Sequence, residues 1–279
     1  MAVAISGNFE ALVGFRPMED IVQFIERIPV FAEEVLGLGK ELSEMVISAS
    51  AKEDRKGTYK SMLERIMGLS AEALKRSLDG LMKFFTTQRD MLPHKEVFFK
   101  LSREFPGDVG ILFAFLLNHI VLKEGDCIFL GANEPHAYLS GSCIELMTCS
   151  DNVVRAGLTP KFKDVPTLVE MLTYEGTSPQ RFYVRKCVSD SPCTILYRPP
   201  IDDFALEEIS VSSSESSHTF DSESLLLVTE GQGMLLTAEN EKYALSAGSS
   251  LYLFPETHFS LKNGEPSRPL KVFRAFKPK

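Results

Sequence analysis

The sequence predicts a mixed α and β protein, with an all-helical unit over residues 18–105 followed by short strands of jelly-roll type. Three observations carry this. Apolar residues recur at i, i+3, i+4 and i+7 through the first hundred residues, the spacing of one helix face. After Gly107 the pattern turns to short apolar runs punctuated by Gly and Pro, which read as buried strands. Many such runs in close succession imply a sandwich or small barrel. A chain of 279 residues has room for two domains, at roughly 150 residues each.

The elements follow in order. Ile21, Phe24, Ile25 and Ile28 form the first helical stripe, behind Pro17 as a first-turn residue. The charged stretch Lys52–Gly57 reads as a solvated loop between helices. Tyr59, Met62, Leu63, Ile66 and Met67 repeat the stripe, as do Leu74, Leu78, Leu81, Met82 and Phe85. Ser70 stands ahead of the latter as N-cap, with Glu72 in the first turn. A short helix runs from Pro93 through Val97, Phe98 and Leu101 and stops at Pro106-Gly107, with His94 read as a surface residue. Ile111 to Val121 reads as a buried strand, and Cys127 to Leu130 as another after the turn Lys123-Glu124-Gly125-Asp126. Further strands are expected at Ile209 with Val211, Leu225–Val228, Met234–Leu236, Leu251–Phe254, Phe259 with Leu261, and Leu270–Phe273. The turns between them fall at Gly231-Gln232-Gly233, Ala247-Gly248, Pro255-Glu256 and Asn263-Gly264, and Ser210–Ser217 reads as a loop.

Composition narrows the function classes. With 44% hydrophobic and 24% charged residues the chain is globular rather than disordered. A net charge of −8 argues against a nucleic-acid partner, which would need clustered excess Lys and Arg. The longest apolar run, Val109–Val121, is broken by Gly110, Asn118 and His119. It falls short of the ~20 residues a bilayer span needs. Five cysteines without a CxxC suit reduced thiols, and Met1–Gly7 is no basic, apolar leader. The expectation is a cytoplasmic protein with neither a membrane nor a nucleic-acid partner.

Two segments carry candidate chemistry. In Gly131–Tyr138, a strand would place Glu134, His136 and Tyr138 on one face, with Glu145 further along. His136 then reads either as a metal ligand with acid/base companions or as a satisfied histidine in a polar turn. In Ser150–Lys161, Arg155 and Lys161 could grip an anion, or be ordinary surface cations.

The segments Phe105-Pro106-Gly107-Asp108-Val109-Gly110, Leu130-Gly131-Ala132-Asn133-Glu134-Pro135-His136-Ala137-Tyr138 and Ser150-Asp151-Asn152-Val153-Val154-Arg155-Ala156-Gly157-Leu158-Thr159-Pro160-Lys161 closely resemble the type I mannose-6-phosphate isomerases, zinc-dependent enzymes of the cupin superfamily. The likeness covers essentially the whole chain, from Phe9–Pro17 to a C-terminal part with weaker motifs. It implies cupin-type jelly-roll domains, the first incomplete, with an inserted all-α domain. The boundaries are then 1–17 and 106–180 for the catalytic cupin, 18–105 for the helices and 181–279 for the C-terminal cupin-like unit. The activity implied is interconversion of mannose 6-phosphate and fructose 6-phosphate through a cis-enediol, in a monomer with one zinc. By position, His136 matches the family's zinc-binding histidine and Arg155 its catalytic arginine. Tyr138, Glu145 and Lys161 match pocket residues, Lys161 near the substrate phosphate.

Family members carry a Gln-x-His pair and a Lys-Pro-Glu segment ahead of the position of Met1, and no Gln-x-His occurs in this chain. The resemblance therefore implies an N-terminally truncated member with one zinc ligand of four. Apolar strand surface around Ile111–Val121 would be left uncovered. A protein of another class, a non-catalytic cupin-type binding or regulatory protein that has lost its metal site, is the alternative.

Overall fold

The helical stripes bury the faces that their spacing marks. The protein is described here from a computed structural model, which covers residues 1–39, 55–87, 93–150, 153–189, 193–212, 215–265 and 267–278. Among the described residues the α-helices are α1 (Met18–Arg27), α2 (Arg55–Met67), α3 (Ala71–Thr87), α4 (Pro93–Glu104) and α5 (Val165–Met171), with a π-helical turn at Phe31–Val35. Ile21, Phe24 and Ile25 are buried on α1, and Tyr59, Met62, Leu63 and Ile66 on α2. Ser70 Oγ caps α3 by accepting the Ala73 N–H at 3.2 Å. The helices close over Phe31, Phe85, Phe98 and Phe115, with Phe31 and Phe115 centroids 4.9 Å apart. Arg55, Lys56 and Gly57 lie inside α2 rather than in a loop. Lys52 to Asp54 fall outside the described residues.

The run from Val109 does not open as a strand: Val109–Phe115 is a 3-10 helix, and the strand begins only at Leu117. The Asp108 carboxylate accepts the Gly110 N–H at 2.7 Å and so starts the turn, while burial on all sides erases any period from the sequence. Ile111 to Leu117 are all buried, as are Ile120 and Leu122, so of the apolar residues from Ile111 to Val121 only Val121 stands open. His94 is not a surface residue. It is half-buried, with Nε2 2.7 Å from Arg16 Nη1, and burial with the nearby guanidinium pushes its pKa down to about 3.

β1 (Ala2–Phe15) is central to the first sheet. β2 (Leu117–Leu122) and β3 (Cys127–Ile128) pair along one edge of it, and β4 (His136–Glu145) along the other, all antiparallel. The C-terminal part is a sandwich of two antiparallel sheets. One has the order β11-β10-β13-β8 and the other β12-β9-β14-β7-β6-β5. Their ranges are β5 Lys186–Val188, β6 Thr194–Tyr197, β7 Ala205–Val211, β8 Ser216–Thr219, β9 Ser224–Glu230, β10 Gln232–Thr237, β11 Lys242–Ser246, β12 Ser250–Leu253, β13 His258–Asn263 and β14 Leu270–Phe276. Alternate residues Leu226, Val228, Leu235, Leu261, Leu270 and Val272 fill the space between the sheets, as the strand pattern requires. Ser210 and Val211 end β7, and Ser216 and Ser217 open β8, so the Ser-rich loop is shorter than expected. A last cluster joins the two β parts: Met1, Val3 and Cys127 pack with Tyr197, Phe204, Leu206 and Phe273.

Candidate active site

β4 carries three of the candidate residues. Its register against β1 sets His136 opposite Val13 and Tyr138 opposite Ala11. Period two puts His136 and Tyr138 on one face, and their ring centroids are 5.7 Å apart. His136 Nδ1 lies 2.9 Å from the Glu134 carbonyl oxygen. A carbonyl only accepts, so Nδ1 carries the proton and Nε2 keeps its lone pair for a partner.

The Tyr138 ring meets Phe9 edge-on at 5.0 Å, and its hydroxyl donates to Glu145 Oε1 at 2.8 Å. Burial, reinforced by the Glu145 carboxylate, raises the phenol far above its ordinary value, so it remains a donor. Residues seven apart meet because the β1–β4 ribbon bends. Between Ser6 and Glu10 the register slips, and at the bend Gly141 has φ 95°. A Cβ on Gly141 would stand 2.6 Å from the Asn8 carbonyl oxygen, so only glycine allows the turn.

Glu134 does not share that face. It precedes β4 and is buried, and Arg181 Nη2 donates to its Oε1 at 2.9 Å. Burial raises its pKa against the pull of Arg181. The glutamate thus holds the turn rather than lining a site with His136.

Arg155 and Lys161 lie on the loop between β4 and α5. Arg155 is half-buried, and among the described residues no hydrogen bond or ion pair engages its guanidinium. Lys161 is exposed, and its backbone N–H donates to Thr159 Oγ1 at 3.2 Å. Two cations that meet no carboxylate among the described residues, on one short loop, suit an anion. Among the described residues neither bonds to the His136–Tyr138–Glu145 group. Asp151 and Asn152 of the same motif lie outside the described residues.

A second polar group went unread in the sequence. Glu10 of β1 accepts from Lys100 of α4 and from Ser140 Oγ (3.0 Å), and Glu10 Oε1 lies 2.7 Å from His119 Nε2. Burial alone would raise the Glu10 carboxyl, but these hydrogen bonds outweigh it and hold it below the usual range. A signal existed: Glu10 and His119 are titratable residues flanked by apolar runs, Phe9 and Ala11–Val13 in β1 and Ile120–Leu122 in β2.

No family model matches the chain. It is 35% identical over 287 residues to mannose-6-phosphate isomerase of Macaca fascicularis, and 34% identical over 287 residues to that of Homo sapiens. In both cases the match takes in 99% of this chain and 67% of the relative. The chain therefore spans about two thirds of the length of these curated relatives. Among solved structures, a zinc-bound mannose 6-phosphate isomerase superimposes with TM-score 0.82 at 25% identity, covering 100% of this chain and 65% of that one. The Salmonella typhimurium enzyme bound to substrate (fructose 6-phosphate) and zinc gives TM-score 0.82 at 25% identity, with 66% of it covered.

Those neighbours hold zinc, and catalytic zinc generally takes three protein ligands besides its open position. Among the described residues no group of three His, Cys, Asp or Glu is gathered closely enough to hold a metal ion. His136, with its prepared Nε2, is one imidazole and does not make a zinc site with the described residues. The likeness in sequence and architecture is nonetheless continuous along the chain, and the chain belongs to the mannose-6-phosphate isomerase family.

Proposed function

We propose that the protein acts in aldose–ketose isomerisation between mannose 6-phosphate and fructose 6-phosphate, and that this chain supplies the arginine side of the site. The observation that carries it is the pair of cations, Arg155 and Lys161, whose side chains meet no partner among the described residues, on a motif that resembles the family's. Lys161 takes the substrate phosphate. Arg155 meets the negative charge that develops on the substrate oxygens as the proton moves between C1 and C2, where a fixed guanidinium stabilises an enediolate. Tyr138, locked to Glu145, presents a wall of fixed polarity to the sugar. His136 offers one metal-ligand position, and no step is assigned to zinc. The protein is a monomer on this reading, with the sugar phosphate as its partner and the cytoplasm as its compartment. No helix among the described residues is long and apolar enough to cross a membrane. The domain boundaries at 17, 105 and 180 belong to the same reading.

The incomplete donor set among the described residues favours a second reading, sugar-phosphate binding without turnover. Fructose 6-phosphate titration by calorimetry and a coupled isomerase assay across zinc concentrations separate the two. Zinc-dependent turnover supports the isomerase. Saturable binding, weakened by Lys161→Ala, with no turnover supports the binding protein. Neither binding nor turnover overturns both.

A further inference from the structure

Asp108 stands in the first of the three family-like segments and has so far served only to cap a 3-10 helix. Its Oδ1 accepts a second hydrogen bond, from the Leu158 N–H at 2.7 Å, across fifty residues of sequence. Leu158 is the midpoint of the stretch from Arg155 to Lys161. We propose that Asp108 is the positioning residue of that loop: one carboxylate ties the carrier of both cations to the start of the buried 3-10 helix. The inference rests on the reading of Arg155 and Lys161 given above.

Three independent features agree on the tether. The first is backbone conformation. Leu158 has φ 55°, a left-handed geometry that a branched side chain rarely adopts and that the surroundings must hold in place. The second is a close crossing of two backbones. A Cβ on Gly157 would lie 2.5 Å from Gly110 Cα, and one on Gly110 would lie 2.6 Å from the Leu158 nitrogen, so glycine is required on both sides. The third is a strap on the outer side. Lys163 Nζ lies 3.6 Å from Asp108 Oδ2 and donates to the Thr159 carbonyl oxygen at 3.1 Å. Two N–H donors on one carboxylate oxygen, with a lysine on the other, make a charge-assisted clamp.

The clamp also explains why the two segments, fifty residues apart, belong together. Phe105–Gly110 is the anchorage and Arg155–Lys161 the arm. The helical core, through Ile111 to Phe115, then fixes where the cations stand. Preorganised charge is what makes a guanidinium effective, because a loop that had to reorganise would spend that advantage on ordering itself.

Hydrogen exchange at the Leu158 amide and fructose 6-phosphate affinity, measured on this chain, test the tether. Asp108→Ala should speed exchange at Leu158 and weaken affinity on the order of ten-fold, as expected for a lost charge-assisted bond. Asp108→Asn keeps an acceptor oxygen and should restore both. Lys163→Met removes the outer strap without touching the Gly110 cap and should speed exchange at Leu158 while the Gly110 amide stays protected, a result that guards against simple misfolding of Asp108→Ala. Protection of Leu158 surviving in Asp108→Ala, or a loosened loop with unchanged affinity, would overturn the proposal. If the wild-type chain does not bind fructose 6-phosphate, the functional reading fails by itself, and exchange at Leu158 still decides whether Asp108 holds the loop.

Discussion

The Tyr138 hydroxyl donates to Glu145 Oε1 at 2.8 Å, although the two stand seven positions apart on one strand. A flat strand would set the two more than 20 Å apart at ~3.3 Å per residue. The bend at Gly141 is therefore what makes this wall of the candidate site, and it opens the first prediction. Gly141→Ala should break the Tyr138–Glu145 contact, and Tyr138→Phe should break it without disturbing the bend. Because Glu145 is exposed, Tyr138→Phe should cost ~1 kcal/mol or less in a urea melt. Gly141→Ala should cost clearly more. Equal costs would show that the bend does not depend on glycine.

Arg155 is assigned to charge that exists only during the reaction. Where added zinc supports turnover in the mannose 6-phosphate assay, Arg155→Ala should lower kcat by roughly 10²–10³-fold and change KM little. A loss confined to KM would make Arg155 a ground-state anchor instead.

Metal content follows from the donor count. The purified chain should hold well under one zinc per molecule by elemental analysis, because a single imidazole does not retain zinc against water and buffer. One tightly bound zinc, lost on His136→Ala, would reveal a ligand set beyond the described clusters.

Acid should weaken the fold through His94. Its pKa lies at about 3 in the folded protein, because burial and Arg16 disfavour its charged form, against an ordinary 6.5. Between those values the unfolded chain binds a proton that the folded chain refuses, so stability falls as pH drops from 6.5 towards 3. The loss should reach roughly 2–4 kcal/mol across that window. His94→Gln keeps a partner for Arg16 and should flatten the slope. An unchanged slope in urea melts at pH 7, 5.5 and 4.5 would remove His94 as the cause.

Much of the architecture was legible where burial is one-sided. The stripes at Ile21–Ile28 and Tyr59–Ile66 are half-wet helix faces, and period marks them. Gly110–Phe115 is buried all round, so its sequence has no period to read, and only the Asp108 cap distinguishes a turn of helix from a strand. β1 escaped because Gly7 and Asn8 interrupt its pattern at the register slip. β11 escaped because Leu245 alone is buried in it. At the site, alternation was enough to pair His136 with Tyr138. It misled for Glu134, which lies before the strand starts and answers to Arg181 across forty-seven residues. Contacts made by a bend or by a distant loop leave no local trace in sequence.

The cluster of Met1, Val3 and Cys127 with Tyr197, Phe204, Leu206 and Phe273 bears on how the protein comes apart. The Tyr197 hydroxyl also donates to the Gly125 carbonyl oxygen at 3.2 Å, and Lys271 Nζ reaches Glu124 Oε1 at 2.6 Å. Neither β part can lose its order without wetting the other's apolar surface. Heat should thus melt both in one cooperative calorimetric transition, and a chain severed near residue 180 should behave as two sticky halves rather than as two independent folding units.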